Sequence, residues 1–162
     1  MIEQKKSRGP KAALIAEIGG MIVRYQDASQ RFDEAVGEVY GLGPAERLCL
    51  SLLWAGPQTA SAIARQVRLT PAAVTSLIDR LEARGYVRRK ADPSDRRKVL
   101  VEAAEKTMEL TREVYGPISE AGNASLAKYT EAELQLFQQI LSDSLLLQED
   151  MTRDFLARHK KD

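Results

Sequence analysis

The sequence has very little of the residue types that build reactive or metal sites. It contains one cysteine, Cys49, and one histidine, His159, among 162 residues. A single cysteine cannot form an internal disulfide, and a lone histidine beside Arg158, Lys160 and Lys161 falls short of a zinc site, which needs several ligands. The chain also has no P-loop, no Gly-rich dinucleotide turn and no Ser-His or Cys-His pairing. These absences predict a protein that is not an enzyme and that has neither a metal site nor a cofactor.

Long apolar runs are also missing. No stretch approaches the length of a membrane helix or of the apolar core of a signal peptide. Nevertheless, 44% of the residues are hydrophobic and 29% are charged, so the chain can bury a core as one domain or as a domain with extensions. Together with the single thiol, these features predict a cytoplasmic protein with no membrane partner.

Excess charge is nearly absent overall, but it is unevenly distributed. A formal net charge of +1 alone argues against a strongly basic nucleic-acid-binding protein. From Gln58 to Leu100, however, ten Lys or Arg stand against four Asp or Glu, whereas residues 101–162 have seven against twelve. Positive charge is therefore concentrated in the middle of the chain, as expected of a protein with one DNA-binding segment.

A short capped helix is predicted at the start of the stretch Leu69–Val101. Thr70 is a favourable N-cap, Pro71 suits the first helical position, and Gly85 suits the left-handed residue that follows a helix. The apolar residues between them recur at helical spacing and are Val74, Leu77, Ile78 and Leu81. This pattern predicts an amphipathic helix that ends near Arg84.

A basic β-hairpin is predicted after the glycine. Tyr86–Lys90 and Arg96–Val101 have strand character, and Ala91–Asp95 has turn character. The return strand thus begins with three cations, and an arginine held on a narrow hairpin suits a DNA minor groove. Asp95 is placed to orient Arg97 through a bidentate pair, while the alternative interpretation is a solvated charged turn.

This stretch resembles the winged helix-turn-helix of the MarR family of bacterial transcription regulators. The family pattern T-x-x-x-V-T-x-L-I-D-R-L-E-x-x-G-Y-V-x-R is followed by D-P-x-D-R-R. The matching residues here are Thr70, Val74, Thr75, Leu77, Ile78, Asp79, Arg80, Leu81, Glu82, Gly85, Tyr86, Val87 and Arg89, then Asp92, Pro93, Asp95, Arg96 and Arg97. The helical patterns on both sides extend the resemblance over residues 11–158.

The resemblance implies a mainly α fold with a small β-hairpin wing, and a chain of five parts. A mobile basic tail, 1–10, precedes an N-terminal dimerisation helix, 11–41. The winged helix-turn-helix occupies 42–102, the C-terminal dimerisation helices occupy 103–158, and a tail covers 159–162. In a symmetric homodimer the two recognition helices would lie roughly 34 to 36 Å apart on a pseudo-palindromic operator.

The flanking segments are predicted to be helical. Apolar spacing indicates one long helix, Ala12–Tyr40, and a buried helix, Pro44–Trp54, whose apolar residues include Leu48, Leu50, Leu52, Leu53 and Trp54. Thr59 caps a short helix, Ala60–Val67, which forms the first half of the helix-turn-helix. Its partner is the predicted recognition helix.

Two further helices follow the wing. Ala103–Tyr129 is predicted to be helical, with Pro117 kinking or breaking it around Tyr115–Gly116. The spacing of Thr130–Glu133 is that of a capping box, so a last helix begins there. Departures from the family pattern after Val101 leave the joint between wing and helix open.

The predicted DNA contacts fall into three groups. The first helix and its turn offer phosphate contacts, the recognition helix offers short side chains and an arginine to base edges, and the wing offers charged residues. In that order the candidates are Thr59, Ser61, Arg65 and Arg68; Thr70, Pro71, Ala72, Ala73, Thr75, Ser76 and Arg80; and Arg88, Arg89, Asp95, Arg96, Arg97 and Lys98.

By the same resemblance, the end helices form the dimer and an effector binds between them and the DNA-binding lobe. The interface candidates are Leu14, Ile18, Phe137, Leu141, Leu145, Met151 and Phe155. The pocket candidates are Tyr25, Phe32, Trp54 and Tyr115, although aromatic residues at helical spacing are more often core. Cys49 is predicted to be a buried structural thiol rather than a redox sensor.

The expected function is a ligand-responsive repressor. The sequence names neither the effector nor the operator, and it leaves repression and activation open. The alternative is a winged-helix protein-interaction module without DNA binding. The cations Arg96, Arg97 and Lys98 beside the short recognition face argue against that alternative.

Overall fold

The structure is a computed structural model that describes residues 9–95 and 98–159. The predicted tails, apart from the residues at their inner ends, and the candidates Arg96 and Arg97 lie outside the described residues. The elements follow the order α1 (Pro10–Tyr40), α2 (Pro44–Trp54), β1 (Gln58–Thr59), α3 (Ala60–Val67), α4 (Pro71–Ala83), β2 (Val87–Ala91), β3 (Val99–Ala103), α5 (Glu105–Leu126) and α6 (Glu131–Arg158). The predicted fold class, mainly α with a small β wing, is confirmed.

The chain divides into two compact units, Met1–Thr111 and Arg112–Asp162. The first unit contains the core, which α2, α3, α4 and the sheet build together. Its most deeply buried side chains are Ile63, Leu77, Ile78, Leu81, Val74, Val101 and Cys49. All four apolar residues predicted for the stripe of α4 are therefore core residues.

The limits of α4 follow from local hydrogen bonding. The Thr70 hydroxyl accepts from the Ala73 amide at 3.3 Å, and Pro71 occupies the first turn. At the other end, Gly85 has a φ of +78°, and the Gly85 and Tyr86 amides donate to the Glu82 and Leu81 carbonyls. This is the Schellman arrangement, in which a left-handed residue satisfies the last carbonyls of a helix. The predicted cap, start and stop are confirmed.

The sheet has three antiparallel strands in the order β1-β3-β2. Val87 pairs with Ala103 and Ala91 with Val99, so β3 ends two residues later than predicted and Lys98 precedes it. Val101, at the middle of β3, lies in the core, where it is 1% exposed. β1 was not predicted; it pairs Gln58 with Val101 and uses the second edge of β3.

Two helices, α2 and α5, differ from the prediction. α2 buries only one face, so Leu48 and Trp54 are exposed, contrary to the expectation that the whole helix is buried. α5 begins at Glu105, because β3 extends to Ala103, and it ends at Leu126. It continues through Pro117, so the predicted break is wrong, whereas a kink at Pro117 stays a prediction.

The capping box at the start of α6 is confirmed. The Thr130 hydroxyl accepts from the Glu133 amide at 3.3 Å, and the Glu133 carboxylate accepts from the Thr130 amide at 2.8 Å. None of the helices in residues 9–95 and 98–159 has the length and apolar character needed to cross a membrane.

Candidate nucleic-acid interface

α3 and α4 are joined by a three-residue turn. Arg68 caps α3 with φ +54°, the only positive φ among the described non-glycine residues, and the Leu69 amide donates to the Ala64 carbonyl at 3.2 Å. An arginine in this conformation is uncommon, and the conformation is enforced by the tight connection between two packed helices. The turn leaves the Arg68 side chain exposed.

The outer face of α4 is short and exposed. The predicted contact residues Pro71, Ala72, Ala73, Thr75 and Ser76 are all exposed and lie outside the buried stripe. The Thr75 hydroxyl donates to the Pro71 carbonyl at 3.0 Å, which leaves its oxygen able to accept. Short side chains allow the backbone of a helix to approach base edges closely, so the shape of this face suits insertion into a major groove.

The polar edge of α3 lies beside this turn. The Thr59 hydroxyl accepts from the Ala62 amide at 3.2 Å and lies 3.1 Å from the Ser61 hydroxyl. Arg65 and Arg68 are exposed, and neither has an ion-pair partner within the part of the chain that the structure describes. Their guanidinium groups are therefore available to phosphates.

Arg80 differs from these two arginines. Its side chain is 60% exposed, but its Nε lies 3.4 Å from Oε1 of Glu46, a residue near the start of α2. The ion pair fixes the inner part of the guanidinium and leaves the outer part to solvent. Arg80 thus remains a candidate for DNA contact, with its direction restricted by α2.

The basic residues of β2 already have acidic partners. Arg88 Nε lies 2.5 Å from Oε1 of Glu102, and Lys90 pairs with the other oxygen of that carboxylate. The hydrogen bond from Lys90, and then that from Arg88, lowers the pKa of Glu102 below its ordinary value. On these two residues the positive charge counted in the sequence is therefore partly neutralised.

Arg89 connects the wing to α4. Its Nη2 lies 2.6 Å from Oδ1 of Asp79, and its Nη1 pairs with Glu82. The hydrogen bond to Asp79 raises the pKa of Arg89 further above its ordinary value. A phosphate contact by Arg88 or Arg89 stays a prediction, and either contact would share or replace these carboxylates.

The turn of the wing is ordered by Asp92. Its carboxylate accepts from the Ser94 amide at 2.8 Å and the Ser94 hydroxyl at 2.6 Å, and the hydroxyl bond lowers the pKa of Asp92. Asp95 Oδ2 lies 3.6 Å from the Lys98 ammonium. The predicted pair between Asp95 and Arg97 lies partly outside the described residues.

Comparison with known proteins decides the family. A family model of the MarR family matches residues 43–99, which contain both helices of the helix-turn-helix and the wing up to Val99. The HTH-type transcriptional regulator YcgE of Bacillus subtilis is 32% identical over 124 residues, 75% of this chain and 80% of the relative. The chain belongs to the MarR family. It is a transcription regulator with a DNA-binding winged helix-turn-helix.

Solved structures extend the likeness of this MarR-family protein to its end helices. A MarR family protein from Bacillus stearothermophilus has a TM-score of 0.59 and 25% identity, with coverage of 87% of this chain and 97% of that one. A Staphylococcus aureus MepR mutant bound to an oligodeoxyribonucleotide has a TM-score of 0.52 and 19% identity, with coverage of 81% and 95%. The second comparison concerns the fold alone.

The four aromatic pocket candidates of this MarR-family protein are exposed to different degrees. Tyr25 and Trp54 are 75% and 61% exposed, whereas Phe32 and Tyr115 are 38% and 37% exposed. A cavity of about 380 Å³ opens where α1 meets α2, and none of the four lines it. Its lining residues are Glu34, Gly37, Glu38, Gly41, Leu42, Gly43, Pro44 and Arg47. The effector pocket stays a prediction.

The residues predicted to form the dimer interface of this MarR-family protein are exposed. Leu14 and Ile18 of α1 are 56% and 46% exposed, and α6 has no buried residue. The candidates on α6, all more than one-third exposed, are Phe137, Leu141, Leu145, Met151 and Phe155.

Sequence reasoning missed Glu46, while the predicted burial of its neighbour Cys49 is confirmed. Glu46 occupies the third position of α2 after Gly43-Pro44, a capping position that marks the helix start but not a buried ion-pair site. Cys49 is a free, fully buried thiol. Burial, and then the negative charge of Glu46, raises the pKa of Cys49 to about 11. The thiol therefore stays protonated near neutral pH, as a structural role requires.

Proposed function

We propose that this protein is a sequence-specific, ligand-responsive repressor. It binds a pseudo-palindromic operator as a homodimer in the cytoplasm, with α4 in the major groove and Arg97 of the wing in the minor groove. The observation that carries this proposal is the exposed, short-residue face of α4 beside the available guanidinium groups of Arg65 and Arg68. Phosphate contacts from the arginines would position the helix, and the face would read bases.

The end helices support the homodimer. α6 has large apolar side chains exposed along its length, and contiguous apolar surface of this kind marks an interaction site. A second copy buries the same face on both chains through one symmetric contact. A dimer also presents two α4 helices, which suits an operator with two related half-sites.

The repressor role and the effector follow from the MarR resemblance. A small molecule that binds one arrangement of the dimer more tightly would change the separation of the two α4 helices. Release from the operator is the expected consequence.

Selection of operator DNA from a random-sequence library, with the full-length protein, tests this proposal. The enriched sequence is expected to be a pseudo-palindrome that binds two subunits. Its affinity should exceed that for random DNA of equal length at salt concentrations of about 50 and about 200 mM. Failure to enrich any sequence would contradict DNA recognition and favour the protein-interaction module instead.

A further inference from the structure

The C-terminal end of α4 is tied to the C-terminal end of α1 by one side chain. Arg84 donates from Nη2 to the Tyr40 carbonyl at 2.7 Å and from Nη1 to the Gly41 carbonyl at 2.8 Å. The last carbonyls of a helix lack partners within it and carry partial negative charge, so a guanidinium is a suitable partner. The planar group of Arg84 bridges two successive carbonyls, which a single ammonium cannot match in geometry.

Glu46 connects the start of α2 to Arg84 at the end of α4. It is 9% exposed, and its Oε2 accepts from the Gly43 amide at 2.9 Å and lies 3.7 Å from Arg84 Nη1. Its Oε1 is the partner of Arg80. A carboxylate with so little exposure to solvent needs hydrogen-bond donors and positive charges around it. Removal of Arg80 or Arg84 therefore leaves the charge of Glu46 less well compensated.

Lys106 joins α5 to the same end of α4. Its Nζ donates to the Arg84 carbonyl at 3.0 Å and lies 4.4 Å from the centre of the Tyr86 ring. The guanidinium carbon of Arg84 lies 5.1 Å from the same centre, and the Thr107 hydroxyl donates to the Tyr86 carbonyl at 2.5 Å. We call the set Glu46, Arg84, Tyr86 and Lys106 the α4 junction.

We propose that Arg84 is a positioning residue for operator binding. Through the α4 junction it fixes the direction of α4 relative to α1 and the first turn of α5, and it makes no contact with DNA itself. Ala73, on the reading face, lies about 16 Å from Arg84 along the helix at 1.5 Å per residue. A small rotation at the junction therefore becomes a displacement at the reading end.

This inference rests on the proposed function, in which α1 and α5 belong to the dimer base. In that case the junction sets the separation of the two α4 helices and hence the preferred spacing of the half-sites. If Arg84 positions α4 in this way, its removal should change the preference of the protein for one spacing between half-sites. Loss of one positive charge would instead weaken binding to every DNA probe.

Three variants test the role in the full-length protein. Arg84→Ala removes the bridge, Arg84→Lys keeps the charge without the fork, and Lys128→Ala removes one exposed charge from the loop between α5 and α6. The probes are the selected operator, the same operator with one base pair inserted or removed between half-sites, and random DNA. Their affinities are measured by fluorescence anisotropy at one salt concentration.

Arg84→Ala should lose about tenfold on the selected operator, a typical coupling between two sites, with less than about twofold on random DNA. Its preference for the original spacing should fall towards equality among the spaced probes. Arg84→Lys should recover part of that preference, and Lys128→Ala should keep all of it. Equal losses on all probes, or an unchanged preference, would overturn the inference.

Two further measurements keep the result interpretable. If Arg84→Ala fails to fold by circular dichroism, Lys106→Gln breaks the junction from α5 and should also reduce the spacing preference. If Lys106→Gln leaves the spacing preference unchanged, the inference is wrong.

If the wild-type protein selects no operator, the proposed function fails, and amide exchange then tests whether Arg84 holds the end of α1. The Gly41 and Leu42 amides donate to the Glu38 and Gly37 carbonyls at the end of α1. Their exchange should be faster in Arg84→Ala, and unchanged exchange would show that Arg84 does not hold the end of α1.

Discussion

The winged segment and α6 use apolar residues in opposite ways. Between α2 and β3, apolar side chains from several elements converge, and Ile63, Val74 and Leu81 have no exposed surface. α6 is longer than any element of that segment, yet none of its residues is buried. Burial of apolar surface is the main source of protein stability, so the winged segment can supply its own. In the proposed homodimer, α6 instead gains this stability by burying its apolar side chains against a second copy. The comparison predicts that the effect of a substitution on unfolding depends on protein concentration when it lies in α6 and does not when it lies in the winged segment.

Leu141→Glu on α6 should have the largest effect. In a symmetric dimer it would bury two unpaired carboxylates, one from each copy, at a cost above about 5 kcal/mol. The expected result is a folded monomer by analytical ultracentrifugation and loss of operator binding. Gln139→Glu, which adds the same charge on the polar side of α6, is the control. A dimer that survives Leu141→Glu would remove this face from the interface.

Leu81→Ala in α4 should lower the free energy of unfolding by about 2 to 5 kcal/mol, because it leaves a cavity in a closed core. Urea denaturation measures the change, and the loss should be the same over a wide range of protein concentrations. For Leu145→Ala on α6 the midpoint should instead depend on concentration, because in the proposed homodimer its partner is another chain. A shared dependence would contradict the division between the two regions.

Arg97→Ala should act on DNA binding alone. If this arginine makes an ordered contact in the minor groove, operator binding weakens by about 1 to 3 kcal/mol, with a smaller loss on random DNA. Lys128→Ala is the control for charge, since it removes one exposed positive charge outside the predicted DNA contacts. Equal losses on operator and random DNA in Arg97→Ala would refute the specific role. Dimerisation should be unaffected in both variants.

Glu102→Gln should have the smallest effect, and it should strengthen DNA binding. The change releases Arg88 and Lys90 from their shared carboxylate, so the salt dependence on random DNA should steepen by about one ion. Glu109→Gln, an exposed carboxylate of α5, is the control for charge. An unchanged slope would show that Arg88 and Lys90 do not reach phosphates.

The same variant has a pH signature. The lowered pKa of Glu102 means that its carboxylate stabilises the folded state at neutral pH. That contribution is lost as the pH falls from the ordinary glutamate pKa through the lowered one, because the unfolded state then binds more protons. Acid unfolding of Glu102→Gln should lack this part of the pH dependence. Identical acid transitions in both proteins would contradict it.

Residues whose partners are close in sequence were predictable. The caps at Thr70 and Thr130 and the stop at Gly85 depend on hydrogen bonds that span a few residues, and all three are present. The buried stripe of α4 was predictable for the same reason, since helical period alone selects its face. The exposure of Leu48 and Trp54 was not, because apolar residues lie on several sides of α2 and do not reveal which face the fold covers.

The candidate interface was predictable in its residue types but not in its pairings. A sequence scan counts Arg65, Arg84 and Arg89 as equal positive charges. In the structure Arg65 is available, Arg89 is paired with two acids of α4, and Arg84 holds the end of α1. Charge density identifies a DNA-binding segment, whereas the position of each carboxylate decides which cation can reach a phosphate.

By itself the sequence determined the local elements, the segment that carries positive charge and the family. Each depends on short-range hydrogen bonds, on periodicity or on a contiguous motif. Only the tertiary structure decided the third strand, Gln58–Thr59, and the α4 junction. A two-residue strand has no period of its own and exists because β3 offers a free edge. The bond from Arg84 to the Tyr40 carbonyl spans 44 residues, so the folded chain alone brings these groups together.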